Sequence, residues 1–124
     1  MTVICVDVNR WDLWRLKSQV RRFVTETVIY CCRSPDRAYI LAREKGCDVL
    51  LTEIDLLSVQ YDGFILAGKI KNLNPRVNII FVTARTDHIS PRRAFQIPVS
   101  GYIIKPCLPE KIEEQFANLR YAAS

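Results

Sequence analysis

The chain has 124 residues, 18 basic against 13 acidic side chains, a net charge of +5 and 49% hydrophobic residues. This length suits one domain, 1–124, that can bury roughly two-thirds of its unfolded surface and needs no disulfide or metal staple. No apolar run approaches the ~18 residues needed to cross a bilayer, and the Thr2–Val6 run is too short for a signal peptide and ends in Asp7, so a cytoplasmic location without membrane partners is expected.

Thr2–Val6 reads as a short buried strand. Asn9 or Asp12 caps a following helix that runs to about Thr25, with Leu13, Leu16, Val20 and Phe23 recurring at helical spacing on its inner face. Trp11 and Trp14 fall away from that face. Exposed, they would mark a partner contact; the alternative has Trp11 in the loop, covering the rim at the strand ends, and Trp14 partly buried against a neighbour. Glu26–Cys32 is a second strand. Ser34-Pro35 starts a helix with an N-cap hydroxyl and a proline in its first turn, and Gly46 supplies a left-handed stop. Asp48–Thr52 is a continuous apolar strand suited to the middle of a sheet.

A loop from Ile54 leads to Asp62-Gly63 and a helix to about Asn72, closed by the Asn74-Pro75 turn. Val77–Val82 is the most apolar strand. A shorter helix is expected from about Thr86 to Gln96, interrupted by Pro91. Ser100–Ile104 is the fifth strand, and Pro109 opens a last helix whose apolar stripe is Ile112, Phe116 and Leu119. Strands alternating with helices imply a parallel sheet covered on both faces. Five such units suit an α/β, flavodoxin-like doubly wound (βα)5 fold of strand order 2-1-3-4-5. No glycine-rich dinucleotide or P-loop motif is present.

The five cysteines form no C-x-x-C pair, and the single histidine, His88, has no neighbouring ligand, so reduced thiols rather than a zinc site are expected. Cys31 and Cys32 point to opposite faces of one strand, which disfavours a bond between them. The positive charge is spread over separate helices and reads as solvated faces, which makes nucleic acid an unlikely partner for this domain alone.

Four polar residues close the apolar strands in order: Asp7, Glu53, Thr83 and Lys105, the last followed by Pro106. Strand ends of this kind converge on the ligand-bearing rim of a doubly wound sheet. Two acids, a hydroxyl and an ammonium meeting there are the chemistry of a divalent metal and a phosphoryl group.

From Val3 to about Leu119 the chain resembles a response-regulator receiver domain of two-component signalling. The resemblance rests on Val6-Asp7, Asp62-Gly63, Thr83-Ala84 and Gly101-Tyr102-Ile103-Ile104-Lys105-Pro106. It implies a phospho-acceptor and metal-ligand position at Glu53, an acid pair for Mg²⁺ at Asp7 and Val8, a further metal ligand in the Asp55 carbonyl, phosphoryl contacts from Thr83 and Lys105, and a switch made of Thr83 and Tyr102. It also implies a peptide bond before Pro106 that is often cis. Its protein partners would be a histidine kinase or a downstream effector, with the 86–96 helix and the fifth strand (Arg85, His88, Arg92, Arg93, Tyr102) as an effector or homodimer surface.

Two positions depart from the family. Val8 cannot coordinate Mg²⁺, which demands near-octahedral oxygen geometry. Glu53 carries one methylene more than Asp and displaces its carboxylate by ~1.5 Å, where errors of about 1 Å can cost ~10²-fold in transfer. The expectation is a pseudo-receiver acting through protein–protein contacts, with no cofactor or weakly bound Mg²⁺. It would not be an enzyme beyond self-phosphorylation and dephosphorylation of the site. The alternative is a working phospho-acceptor that uses Mg²⁺ and Glu53 or Asp55. Glu53 itself has two readings: a partial mimic of a phosphorylated Asp reaching Thr83 and Lys105, or a plain ion pair with Lys105.

Overall fold

The computed structural model describes residues 1–58, 60–84 and 98–123. Five parallel strands form one sheet in the order β2-β1-β3-β4-β5. They are β1 (Thr2–Val6), β2 (Val28–Cys32), β3 (Val49–Thr52), β4 (Asn78–Thr83) and β5 (Gly101–Ile104), joined with helices α1 (Arg10–Phe23), α2 (Pro35–Lys45), α3 (Gly63–Leu73) and α4 (Pro109–Ala123). The expected doubly wound order is therefore present. The 86–96 segment, with Arg85, His88, Arg92 and Arg93, lies outside the described residues.

Two apolar layers follow from the period-2 alternation of the central strands. Ile4, Val6, Leu50, Ile79 and Phe81 face α2 and α3 and pack with Ala38, Phe64, Leu66 and Ile70. Val3, Cys5, Leu51, Ile80, Val82 and Ile103 face the other way and pack with Leu13, Leu16, Val20, Ile112 and Phe116 of α1 and α4. The predicted inner faces are thus buried at Leu13, Leu16, Val20, Ile112 and Phe116, with Phe23 and Leu119 partly buried at their ends.

Element boundaries shift for local reasons. Asn9, not Asp12, caps α1: its side chain accepts from the backbone N–H groups of Trp11 and Asp12 at 3.0 Å each. The second strand begins at Val28 rather than Glu26, because Glu26 adopts a left-handed φ of 54° and the ladder opens at the Thr2–Val28 pair. Val77 belongs to the preceding turn, its N–H donating to the Asn74 carbonyl at 3.0 Å. Ser34 caps α2 and Gly46 ends it at φ 80°, as the sequence indicates.

Asp62-Gly63 fixes where α3 starts. Asp62 accepts from the Ile65 N–H at 3.0 Å, and the Gly63 N–H donates to the Ile54 carbonyl at 2.8 Å. A β-carbon at Gly63 would collide with the Glu53 carbonyl oxygen and the Ile54 α-carbon. Glycine here lets the helix start press against the end of β3. Gly63→Ala is expected to cost roughly 1–3 kcal/mol by forcing that backbone apart. Urea denaturation should show a lowered midpoint at unchanged slope; a midpoint equal to wild type would mean that α3 can slide away freely.

Candidate functional site

Backbone hydrogen bonds one residue beyond the strands carry the polar residues onto a common rim. The Asp7 N–H donates to Cys32 O at 3.1 Å, the Glu53 N–H to Val6 O at 2.9 Å, and the Lys105 N–H to Thr83 O at 2.9 Å. These bonds continue the parallel ladders, so the residues that follow β1, β3 and β5 emerge side by side. Asp7, Glu53 and Thr83 are all buried.

The Lys105 ammonium lies at the centre. Nζ donates to Asp7 Oδ2 at 2.8 Å and to Asp12 Oδ2 at 3.0 Å. It stands 3.5 Å from Glu53 Oε2, an ion-pair distance without a hydrogen bond. Burial alone would lower the Lys105 pKa, but the hydrogen bonds it donates to Asp7 and Asp12 outweigh it and hold the ammonium above the usual lysine range. Lys105 is thus committed first to Asp7 and Asp12, and its peptide bond to Pro106 is cis.

Glu53 divides its carboxylate. Oε1 accepts from the Thr83 hydroxyl at 3.0 Å, while Oε2 is buried and receives no hydrogen bond among the described residues. Burial raises the Glu53 pKa above the ordinary carboxyl value; the Lys105 charge and the Thr83 hydroxyl oppose it only in part. Tyr102 packs its ring 5.6 Å from that of Phe81, which in turn stacks 4.8 Å from Phe64. Its hydroxyl is buried with no hydrogen-bond partner among the described residues, and burial raises its pKa.

Val8 contributes only backbone, its carbonyl accepting from Arg33 Nε at 3.3 Å and Nη2 at 3.1 Å. Asp55 is exposed, and its carboxylate caps its own loop by accepting from the Leu57 N–H at 3.2 Å. Trp11 and Trp14 are 76% and 66% exposed, so the alternative of a covering Trp11 and a partly buried Trp14 is overturned: α1 turns both indoles outward. Asp12 is the residue that sequence reasoning missed. It reads as a helix cap, but Asn9 takes that role and frees the Asp12 carboxylate for Lys105. Its place in the first turn of the helix leaving β1 was the available signal.

The response regulator receiver domain family matches residues 3–117. The transcriptional regulatory protein NatR of Bacillus subtilis (strain 168) is 30% identical over 111 residues, covering 90% of this chain; the chain spans 46% of that protein's length. The isolated receiver domain of RcsB from Salmonella enterica serovar Typhimurium, solved with phosphomimetic BeF3⁻, superposes with a TM-score of 0.83 at 20% identity, covering 98% of this chain and 88% of that one. The response regulatory domain of mrkE from Klebsiella pneumoniae gives 0.83 at 22%, covering 98% and 97%. This chain belongs to the response regulator receiver domains of two-component signalling. Such domains are generally non-enzymatic signalling modules that interact with kinases and effectors and typically bind Mg²⁺ at the phosphorylation site. Among the described residues no helix is long and apolar enough to cross a membrane.

Two substitutions probe the charge balance. The folded Glu53 pKa lies above the unfolded value of ~4.3, so the native state holds this proton more tightly and stability falls as pH rises through the window above ~4.3. Glu53→Gln keeps a carbonyl acceptor for Thr83 and removes the titration. Paired urea titrations should show wild type losing stability relative to Glu53→Gln between acid and neutral pH; the opposite slope would mean that the Lys105 charge governs this carboxylate. Lys105→Met leaves Asp7 and Glu53 buried together without their cation. Its expected cost is roughly 3–5 kcal/mol in denaturant unfolding, and a loss below ~1 kcal/mol would show the cluster to be solvated as a surface ion pair is.

Proposed function

We propose that this chain is a pseudo-receiver: a receiver domain that signals through protein contacts in a fixed state, with phosphoryl transfer at Glu53 weak or absent. The observation that carries this reading is the engagement of Lys105 and Thr83 by the protein's own carboxylates. These are the two groups that would contact a phosphoryl group in the family. The ammonium is held by Asp7 and Asp12, and the hydroxyl donates to Glu53.

The residues present do not fit Mg²⁺. Octahedral coordination needs oxygen donors, and Val8 offers none from its side chain. Asp7 and Glu53 already flank a cation at 2.8 and 3.5 Å. No group of three His, Cys, Asp or Glu side chains among the described residues is arranged to hold a metal. A divalent cation placed beside the Lys105 ammonium would be repelled by it.

Glu53 acts in this reading as a partial stand-in for a phosphorylated Asp, because its carboxylate takes the Thr83 hydroxyl while Tyr102 lies folded against Phe81. A carboxylate carries less charge and fewer acceptor oxygens than a phosphoryl group, so the state it holds is a partial copy. The likeness to NatR supports a place in transcriptional regulation, with a kinase or effector protein as partner.

Intact mass after incubation with acetyl phosphate and Mg²⁺ tests the proposal. Wild type should stay unmodified, while the Val8→Asp/Glu53→Asp double variant gains a phosphoryl group. A phosphorylated wild type, lost on Glu53→Gln or Asp55→Asn, would establish a working receiver with an unusual acceptor and sink the pseudo-receiver reading.

A further inference from the structure

The rim chemistry leaves one reactive side chain unused. Cys31 is an exposed free thiol on β2, the edge strand of the sheet. Its register partner on β1 is Cys5, which is fully buried. Paired residues of adjacent parallel strands leave the same face of the sheet with backbones ~4.8 Å apart. That spacing falls within the roughly 4.4–6.8 Å between α-carbons that a disulfide spans. One thiol of the pair therefore faces solvent, with a second directly inward of it.

We propose that Cys31 is an oxidation site for hydrogen peroxide, with Cys5 as its resolving thiol. The Cys31 thiolate attacks one peroxide oxygen, the O–O bond breaks, and the second oxygen leaves as water once protonated. The sulfur is oxidised to a sulfenic acid and the peroxide is reduced. The Cys5 sulfur then attacks the sulfenic sulfur. An S–S bond forms, the S–O bond breaks, and the hydroxyl leaves as water with the Cys5 proton. Two thiols and one peroxide become one disulfide and two waters.

The surroundings favour Cys31 over the other cysteines. Interaction with the Cys5 thiol lowers its pKa to about 7, against the opposing effect of burial, and the Lys17 and Arg21 charges act in the same direction as Cys5. Lys17 and Arg21 are one turn apart on α1, so both present their charge on one side of that helix. Cys32, Cys47 and Cys107 are buried, and burial pushes their thiols up to about 11, 12 and 11. Thiolate character and exposure decide which cysteine oxidises first, and only Cys31 has both.

The test treats the full reduced chain with hydrogen peroxide at neutral pH, blocks remaining thiols, and reads intact mass and mapped peptides. Wild type should lose the mass of two hydrogen atoms and yield a cross-link between the Cys5 and Cys31 peptides. Cys31→Ser should abolish that loss. Cys5→Ser should instead accumulate a sulfenic acid at Cys31 that dimedone traps. Should that buried substitution prevent folding, the wild-type cross-link and its loss in Cys31→Ser decide alone. A Cys31 that stays a free thiol, or one joined to a different cysteine, overturns the proposal.

Discussion

A lysine ammonium with only 16% of its side chain exposed has to be surrounded by anions, and the rim of this domain is organised by that requirement. Taking an ion out of water costs several kcal/mol unless well-placed partners replace its hydration. Here the partners come from the residue after β1, the first turn of α1 and the residue after β3, while the lysine itself follows β5. Four separated stretches of chain are thereby fixed against one another at a single atom. The parallel ladders bring them within reach, and the charge cluster sets which rotamers they adopt.

The division of labour among the carboxylates follows from geometry. Asp7 is short and emerges directly under Nζ, so it makes the 2.8 Å bond. Asp12 reaches in from the helix and takes a second proton of the ammonium at 3.0 Å. Glu53 is left at 3.5 Å and turns its other oxygen to Thr83. Its burial is only partly offset, which is why its proton is held more tightly than in water although a cation is near. A shorter Asp in this position would not extend as far toward Thr83, and an acid at position 8 would add a competing anion beside Asp7. The two family departures thus act together on one local charge balance.

Much of this was legible in the sequence. Strand order, both apolar faces, the Ser34-Pro35 start, the Gly46 stop and the convergence of Asp7, Glu53, Thr83 and Lys105 follow from periodicity and from where polar residues close apolar runs. What escaped depends on contacts between distant residues. Asp12 could be recognised as a lysine partner only after Asn9 was known to cap the helix. That Glu53 splits its two oxygens, one to the Thr83 hydroxyl at 3.0 Å and one at 3.5 Å from Lys105, depends on side-chain reach that spacing along a chain does not encode. The indoles of Trp11 and Trp14 depended on helix rotation, and the left-handed Glu26 moved a strand start by two residues because one backbone conformation interrupted an otherwise suitable run.

A counter-ion drawn from solution occupies its site by mass action and exchanges with the bulk. The Lys105 ammonium is tethered by the polypeptide, so its local concentration is set by covalent geometry and does not vary with the surrounding medium. Its single positive charge therefore stands beside Asp7, Asp12 and Glu53 in every copy of the folded domain. On the pseudo-receiver reading proposed above, the output of such a rim is set by how many copies are present and how often they meet a partner.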